Sequence, residues 1–299
     1  MNPDQINDLV QRLHALLDRV ENHLPPQPEA IDFDRHIAFR WFKNGAKGAL
    51  EGISAPHRIG AKDLLGLERQ LTELDRNTRQ FVQGLPANNA LLWGARGTGK
   101  SSLIKAMLDS YQVDGLRLVE VDKDDLVDLP HIVEHLKDQP QRFLIFCDDL
   151  SFEANDPSYK ALKAVLDGSV SIAPDNILIY ATSNRRHLMP EFMSENQDSR
   201  IVDGELHHGE SVEEKISLSE RFGLWLSFHP FSQERYLEIV THWLNRLGAP
   251  TPMDADTHRL ALEWALTRGS RSGRVAWQFA RDQAGRLALE AATVQPETR

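Results

Sequence analysis

The sequence predicts an α/β fold, a parallel five-stranded sheet flanked by helices and followed by a small all-helical domain. Three observations lead there. Apolar runs such as Phe143-Leu144-Ile145-Phe146-Cys147 are continuous rather than alternating, which marks strands buried on both faces, as in a parallel sheet covered by helices. Stretches of helical period separate these runs. From Phe231 onward the periodicity is helical throughout, which sets a boundary near residues 229–232. At 299 residues, with 41% apolar and 26% charged side chains, the chain is globular and can bury a sizeable core. The expected organisation is a helical extension over 1–58, an α/β domain over 59–230, a helical domain over 231–292 and a disordered tail over 293–299.

Residues 5–24 repeat Ile6, Leu9, Val10, Leu13, Leu16, Leu17 and Val20 at a period near 3.5, an amphipathic helix. Packing on its own domain is favoured over a self-associating role. Leu24-Pro25-Pro26-Gln27-Pro28 breaks it. Phe33, Phe39, Trp41 and Phe42 then interleave with Arg35, His36, Arg40 and Lys43. Such a mixture can stack on single-stranded bases, but core aromatics with a snorkelling rim are the favoured reading. Residues 59–67 lead into a helix that runs to about Gln83 and stops before Gly84 and Pro86. The apolar turn around Leu65 is a candidate seat for a nucleobase.

The chain's most informative stretch is Gly94-Ala95-Arg96-Gly97-Thr98-Gly99-Lys100-Ser101-Ser102, set between an apolar run and an amphipathic helix. The pattern G-x-x-x-x-G-K-[ST] lets backbone N–H groups and a helix N-terminus face a phosphate, with glycines where the backbone must come close. Lys100 supplies a point charge for the β- and γ-oxygens, and Ser101 is spaced to ligate Mg²⁺. The stretch predicts binding of a nucleoside triphosphate.

Further along, Leu116 to Val121 is a strand, Leu129 to Lys137 helical, and Arg142 to Cys147 a buried strand ending in Asp148-Asp149. Carboxylates there emerge where parallel sheets bind ligands. Asp148 is placed to hold Mg²⁺ opposite Ser101, and Asp149 to polarise an attacking water, with Glu153 a lesser alternative. Asn176 to Asn184 is another buried strand, and its terminal amide, Asn184, can contact a γ-phosphate without adding charge. Residues 191–220 are rich in acids and read as a long exposed loop. The neighbours His207 and His208 face opposite ways, so a metal site there is not expected. A last strand covers Leu224 to Phe228. Helices follow from the Ser232 cap to Gly248, from Asp254 to Arg268 and from Ser272 to Leu289.

The net charge of −10 argues against bulk non-specific binding to nucleic acid and tilts the partner towards protein. One cysteine, Cys147, excludes a disulfide framework, and no apolar run reaches the ~20 residues of a membrane span. The N-terminus lacks the features of a signal peptide, so the cytoplasm is the expected compartment.

The order of these motifs resembles that of AAA+ ATPases, over roughly residues 60–290. The resemblance rests on the 94–101 loop, Asp148-Asp149, the strand ending in Asn184, Arg221-Phe222-Gly223 after a long gap, and Gly273-Arg274. Leu218-Ser219-Glu220-Arg221-Phe222-Gly223 and the Asp-Asp pair are similar to the initiator and helicase-loader branch. The whole chain is also similar to an uncharacterised bacterial AAA+ ATP-binding family. The resemblance implies ATP and Mg²⁺ as ligands and a helical lid that brings Arg274 to the γ-phosphate. It also implies Arg221 as an arginine finger reaching into a neighbouring subunit's site, hence a homo-oligomeric ring or spiral. Arg185, Arg186 and Arg200 are rival fingers, Arg271 rivals Arg274, and Arg221 can instead pair with a nearby acid of its own chain.

Asp149 is a methylene shorter than the Glu most of that superfamily uses, and no aromatic-Val-Gly pore loop lies between the second strand and the Asp148 strand. The expected function is therefore an ATPase that remodels or loads a macromolecular partner. The alternative is an ATP-dependent binding switch with little hydrolysis. A guanine-reading Asn-Lys-x-Asp is absent, which disfavours a GTPase.

Overall fold

The computed structural model describes residues 7, 12–14, 31–44, 47–152, 156–167, 174–186, 188, 200–202, 205–207, 218–249 and 253–294. The chain divides into two compact units, Met1–Asp32 and Phe33–Arg299. In the first, Asn7 and Arg12–His14 are helical, and the rest of the helix expected over 5–24 lies outside the described residues. Everything below concerns the second.

Its sheet contains β1 (Ala38–Asn44), β2 (Lys47–Gly52), β3 (Ala90–Gly94), β4 (Leu116–Glu120), β5 (Arg142–Cys147), β6 (Ile177–Ser183) and β9 (Leu224–Phe228), in the order β2-β1-β4-β5-β6-β3-β9. The five strands expected from the sequence are the parallel block β4-β5-β6-β3-β9. The central strands are buried as their apolar runs require, every residue of β6 and all of β5 but Arg142, whereas β9 at the sheet edge buries only Leu226 and Phe228.

Two strands correct the reading of 1–58 as helical. β1 runs parallel to β4, and β2 turns back antiparallel to β1 at the sheet edge. The aromatics drive this: Phe39 is fully buried and Trp41 1% exposed, while Arg40 between them is exposed. That period of two is a strand signature, and Trp41 Nε1 donates to Asp128 Oδ2 at 3.1 Å, tying β1 to the segment after β4. The aromatic-basic piece is thus core with a charged rim.

The helices are α1 (Glu68–Val82), α2 (Lys100–Tyr111), α3 (Leu129–Leu136), α4 (Pro157–Asp167), α5 (Gln233–Arg246), α6 (Ala255–Thr267) and α7 (Gly273–Val294). Ser232 caps α5 by accepting from the Arg235 N–H, and Asp254 caps α6 by accepting from that of Thr257. α7 extends past the expected end at Leu289. A buried polar cluster pins α1 to the sheet: Asn77 Nδ2 and Thr78 Oγ1 each lie 2.9 Å from the Tyr180 hydroxyl, and Asn77 also bonds both backbone groups of Asn88. Within the stretch read as an acidic loop, Arg200–Val202 (β7) pairs antiparallel with Glu205–His207 (β8). The remainder of 191–217, with Glu153, His208 and the tail from 295, lies outside the described residues.

Candidate functional site

Sheet order builds the site. β3 lies between β6 and β9, with Trp93 opposite Ser183 and Gly94 opposite Phe228, so the loop after β3 emerges beside the carboxyl end of β6. β5 neighbours β6 with Cys147 opposite Ala181, which sets Asp148 beside Thr182. Three strand ends therefore converge on one cleft of about 720 Å³.

Gly94, Gly97 and Gly99 have φ of 133°, 73° and 104°, the conformations a tight phosphate-binding loop needs. At Gly94 the approach to β9 is so close that a Cβ would lie 1.9 Å from the Phe228 carbonyl oxygen. The loop then delivers α2, with Gly99 at its N-cap. Residues 96–102 line the cleft. Gly94 and Ala95 instead present their carbonyls to Lys100 Nζ, at 2.8 and 2.9 Å, and its third donor reaches Asn184 Oδ1 at 3.1 Å. Burial lowers the Lys100 pKa, opposed by Asp149 and Asp148 and reinforced by Arg274 and Arg96.

The carboxylates come next. Ser101 Oγ donates to Asp148 Oδ1 at 2.7 Å, and Thr182 Oγ1 donates to the same oxygen at 2.5 Å. Asp149, the one non-glycine residue with positive φ among those described, stands at 52°. Its Oδ1 accepts from Asn184 Nδ2, and Oδ2 lies 3.8 Å from Arg96. Ser101, Asp148, Asp149, Asn184 and Lys100 thus share one site.

Leu65 lines the same cleft, together with Asp63 and Leu64 from its own segment and Ile239, Trp243 and Trp277 from α5 and α7. Arg274 also lines it, and its backbone N–H donates to the Gly97 carbonyl at 3.1 Å, fastening α7 to the phosphate loop. Arg271, its rival, bonds Phe231 through its backbone carbonyl and is not among the lining residues. Arg221 lies apart from the cleft and forms an ion pair with Asp167 at the end of α4, the intrachain alternative weighed for it. Arg186 sits over the Trp93 ring at 5.6 Å, and Arg185 is exposed. For Arg200 only the backbone is described.

Sequence reasoning missed Thr182 and the tryptophans. Thr182 stands two residues before Asn184 in a strand otherwise read as core, and only the β5–β6 register reveals its partner. Trp243 and Trp277, with ring centroids 4.6 Å apart, lie on two helices whose mutual packing no local pattern encodes.

Among solved structures, the Thermotoga maritima RuvB Holliday junction branch migration motor is similar, with a TM-score of 0.52 at 14% identity over 78% of this chain and 66% of that one. The Aeropyrum pernix Orc1 protein in complex with DNA gives 0.52 at 16% identity over 79% and 62%. The chain spans just under two thirds of either length, and no curated protein matches it in sequence. The fold is that of the AAA+ P-loop ATPases. The chain belongs to the family described as "Protein of unknown function (DUF815)", whose match covers residues 34–287.

Proposed function

We propose that this chain binds ATP with Mg²⁺ in the cleft and hydrolyses it in an assembly-dependent way, to remodel or load a macromolecular partner. The observation that carries the reading is the convergence of Lys100, Ser101, Asp148, Asp149 and Asn184 at the mouth of one glycine-rich loop. Residues 96–102 cradle the phosphates.

The oxygen donors of Ser101 and Asp148, already 2.7 Å apart, suit a hard cation, and these two would hold Mg²⁺. When bound, Mg²⁺ would neutralise charge on the phosphate oxygens. Asp149 accepts a hydrogen bond from the attacking water and Asn184 orients it against the γ-phosphate. Arg274 closes the lid of residues 231–292 onto the same group. Arg221 leaves Asp167 to serve a neighbouring subunit in a ring or spiral, a contribution of ~10³-fold where such fingers act.

A binding switch with little turnover is the second reading, favoured by the short Asp149 side chain and its engagement by Asn184. The charge of −10 favours a protein partner, and the N-terminus without signal-peptide features a cytoplasmic setting; the DNA bound by the Orc1 neighbour makes DNA the competing class.

Steady-state hydrolysis measured against protein concentration, with Lys100→Ala as the blank, decides. A specific rate that climbs with concentration, and falls in Arg221→Ala with ATP still bound, supports the motor. A rate flat at the blank's level, with ATP bound, leaves the switch.

A further inference from the structure

The acids that line the cleft fall into two groups. Asp148 and Asp149 sit at the phosphate loop, while the remaining acid among the described lining residues is Asp63, from the 61–63 turn; Leu64, Trp243 and Trp277 line the same cleft. The Asp63 side chain is 8% exposed. Two groups on α5 meet a single oxygen of it: Arg246 Nη1 at 2.5 Å and His242 Nε2 at 3.1 Å, both to Oδ1. Among the described residues Oδ2 takes no hydrogen bond; it lies beside Gly60, where a Cβ would stand 3.5 Å away.

From this arrangement we infer that Asp63 selects the base: Oδ2 accepts a hydrogen bond from the exocyclic amine of a 6-aminopurine held against the tryptophan wall. This rests on the nucleotide reading of the cleft. The selectivity follows from counting lone pairs. A carboxylate reads guanine by pairing both oxygens with N1–H and the 2-amine, and here Oδ1 is already engaged. One remaining acceptor matches one amine donor, and it repels the carbonyl oxygen that guanine carries at the 6-position. An apolar seat with one fixed polar group is the form in which small-molecule sites achieve discrimination. A site built to bond an amine rejects analogues that lack it far more strongly than an apolar pocket rejects a change of size.

The test is equilibrium binding of ATP, GTP and purine riboside triphosphate, which differs from ATP in lacking the 6-amine. The unaltered protein should bind ATP at least about tenfold more tightly than either competitor. Asp63→Asn presents an amide that can donate to a 6-carbonyl, so the ATP preference over GTP should collapse to within about twofold. Arg246→Leu combined with His242→Leu frees Oδ1 of both its partners, and GTP should gain on ATP; this double variant decides where Asp63→Asn does not fold.

Equal binding of ATP and purine riboside triphosphate overturns the inference while leaving the nucleotide reading intact. So does a parallel loss of ATP and GTP at an unchanged ratio in either variant, because a mere tie between the 61–63 turn and α5 would act on both. Failure of the unaltered protein to bind any nucleotide overturns both.

Discussion

Thr182 Oγ1 donates to Asp148 Oδ1 at 2.5 Å while accepting from the Asp149 N–H at 2.9 Å. One hydroxyl on β6 thereby fixes the first two residues beyond β5, including Asp149 in its left-handed conformation. Thr182→Val keeps the shape and removes both bonds. Outer hydrogen bonds of this kind are worth 10–100-fold in metal affinity or activity. The Mg²⁺ concentration for half-maximal hydrolysis should rise by about tenfold or more. Metal-free ATP binding, followed in EDTA, should hold within about twofold, because the phosphate loop is untouched.

Gly97 couples the loop to the start of α7. At its φ of 73° a Cβ would stand 2.9 Å from Ser272 Oγ and 3.1 Å from Arg274 Cβ. Gly97→Ala therefore forces a non-glycine residue into an unfavourable region and pushes the start of α7 away. The backbone strain alone costs of order 1–3 kcal/mol. Calorimetric titration should show weaker ATP binding, because the displaced loop no longer aims its N–H groups at the phosphates. Unfolding of the free protein in urea should show the strain as a lower midpoint.

The polar cluster under α1 makes a stability prediction. Asn77 is 4% exposed and bonds the Asn88 N–H and carbonyl as well as the Tyr180 hydroxyl. Asn77→Ala removes its bond to the buried Tyr180 hydroxyl together with both bonds to the backbone of the exposed Asn88, a combined cost of about 1–3 kcal/mol. Urea unfolding should show a loss of stability of that size. An unchanged midpoint would mean water replaces the amide without cost.

Residues 38–52 show where sequence reading stops. The five parallel strands were legible because each is a long apolar run set between helical stretches. β1 holds only Ala38, Phe39, Trp41 and Phe42 among polar neighbours, and its pairing with β4 spans some eighty positions, a contact no local pattern contains. The phosphate loop, Asp148 and Asn184 were legible because their spacing is set by chemistry. Thr182, Asp63 and the tryptophans depend on strand register and helix packing, which only the fold supplies. Trp41→Ala tests that β1 is integral: the ring is 1% exposed, so its loss should cost about 3–5 kcal/mol. A deletion ending at residue 58 should unfold the α/β unit rather than trim it.

Cys147 offers a probe of that unit from within. It ends β5, next to Asp148, and is fully buried; burial, with Asp148 adding to it, pushes its thiol up to about 12. The thiolate is the reactive form, so at pH 8 the folded chain holds this group both protonated and inaccessible. Modification by a disulfide reagent should then proceed only through opening of the sheet. Its rate should follow the open population in urea and fall when ATP and Mg²⁺ stabilise the closed form. The sign with pH is fixed as well. The folded value lies above the ~8.5 of a free thiol, so the preference for the neutral form contributes fully below that pH. It is lost as pH rises from there towards about 12. Replacing Cys147 by Ala should flatten that part of the alkaline decline in stability, and rapid labelling at pH 8 without denaturant would show that β5 is not the buried strand its sequence specifies.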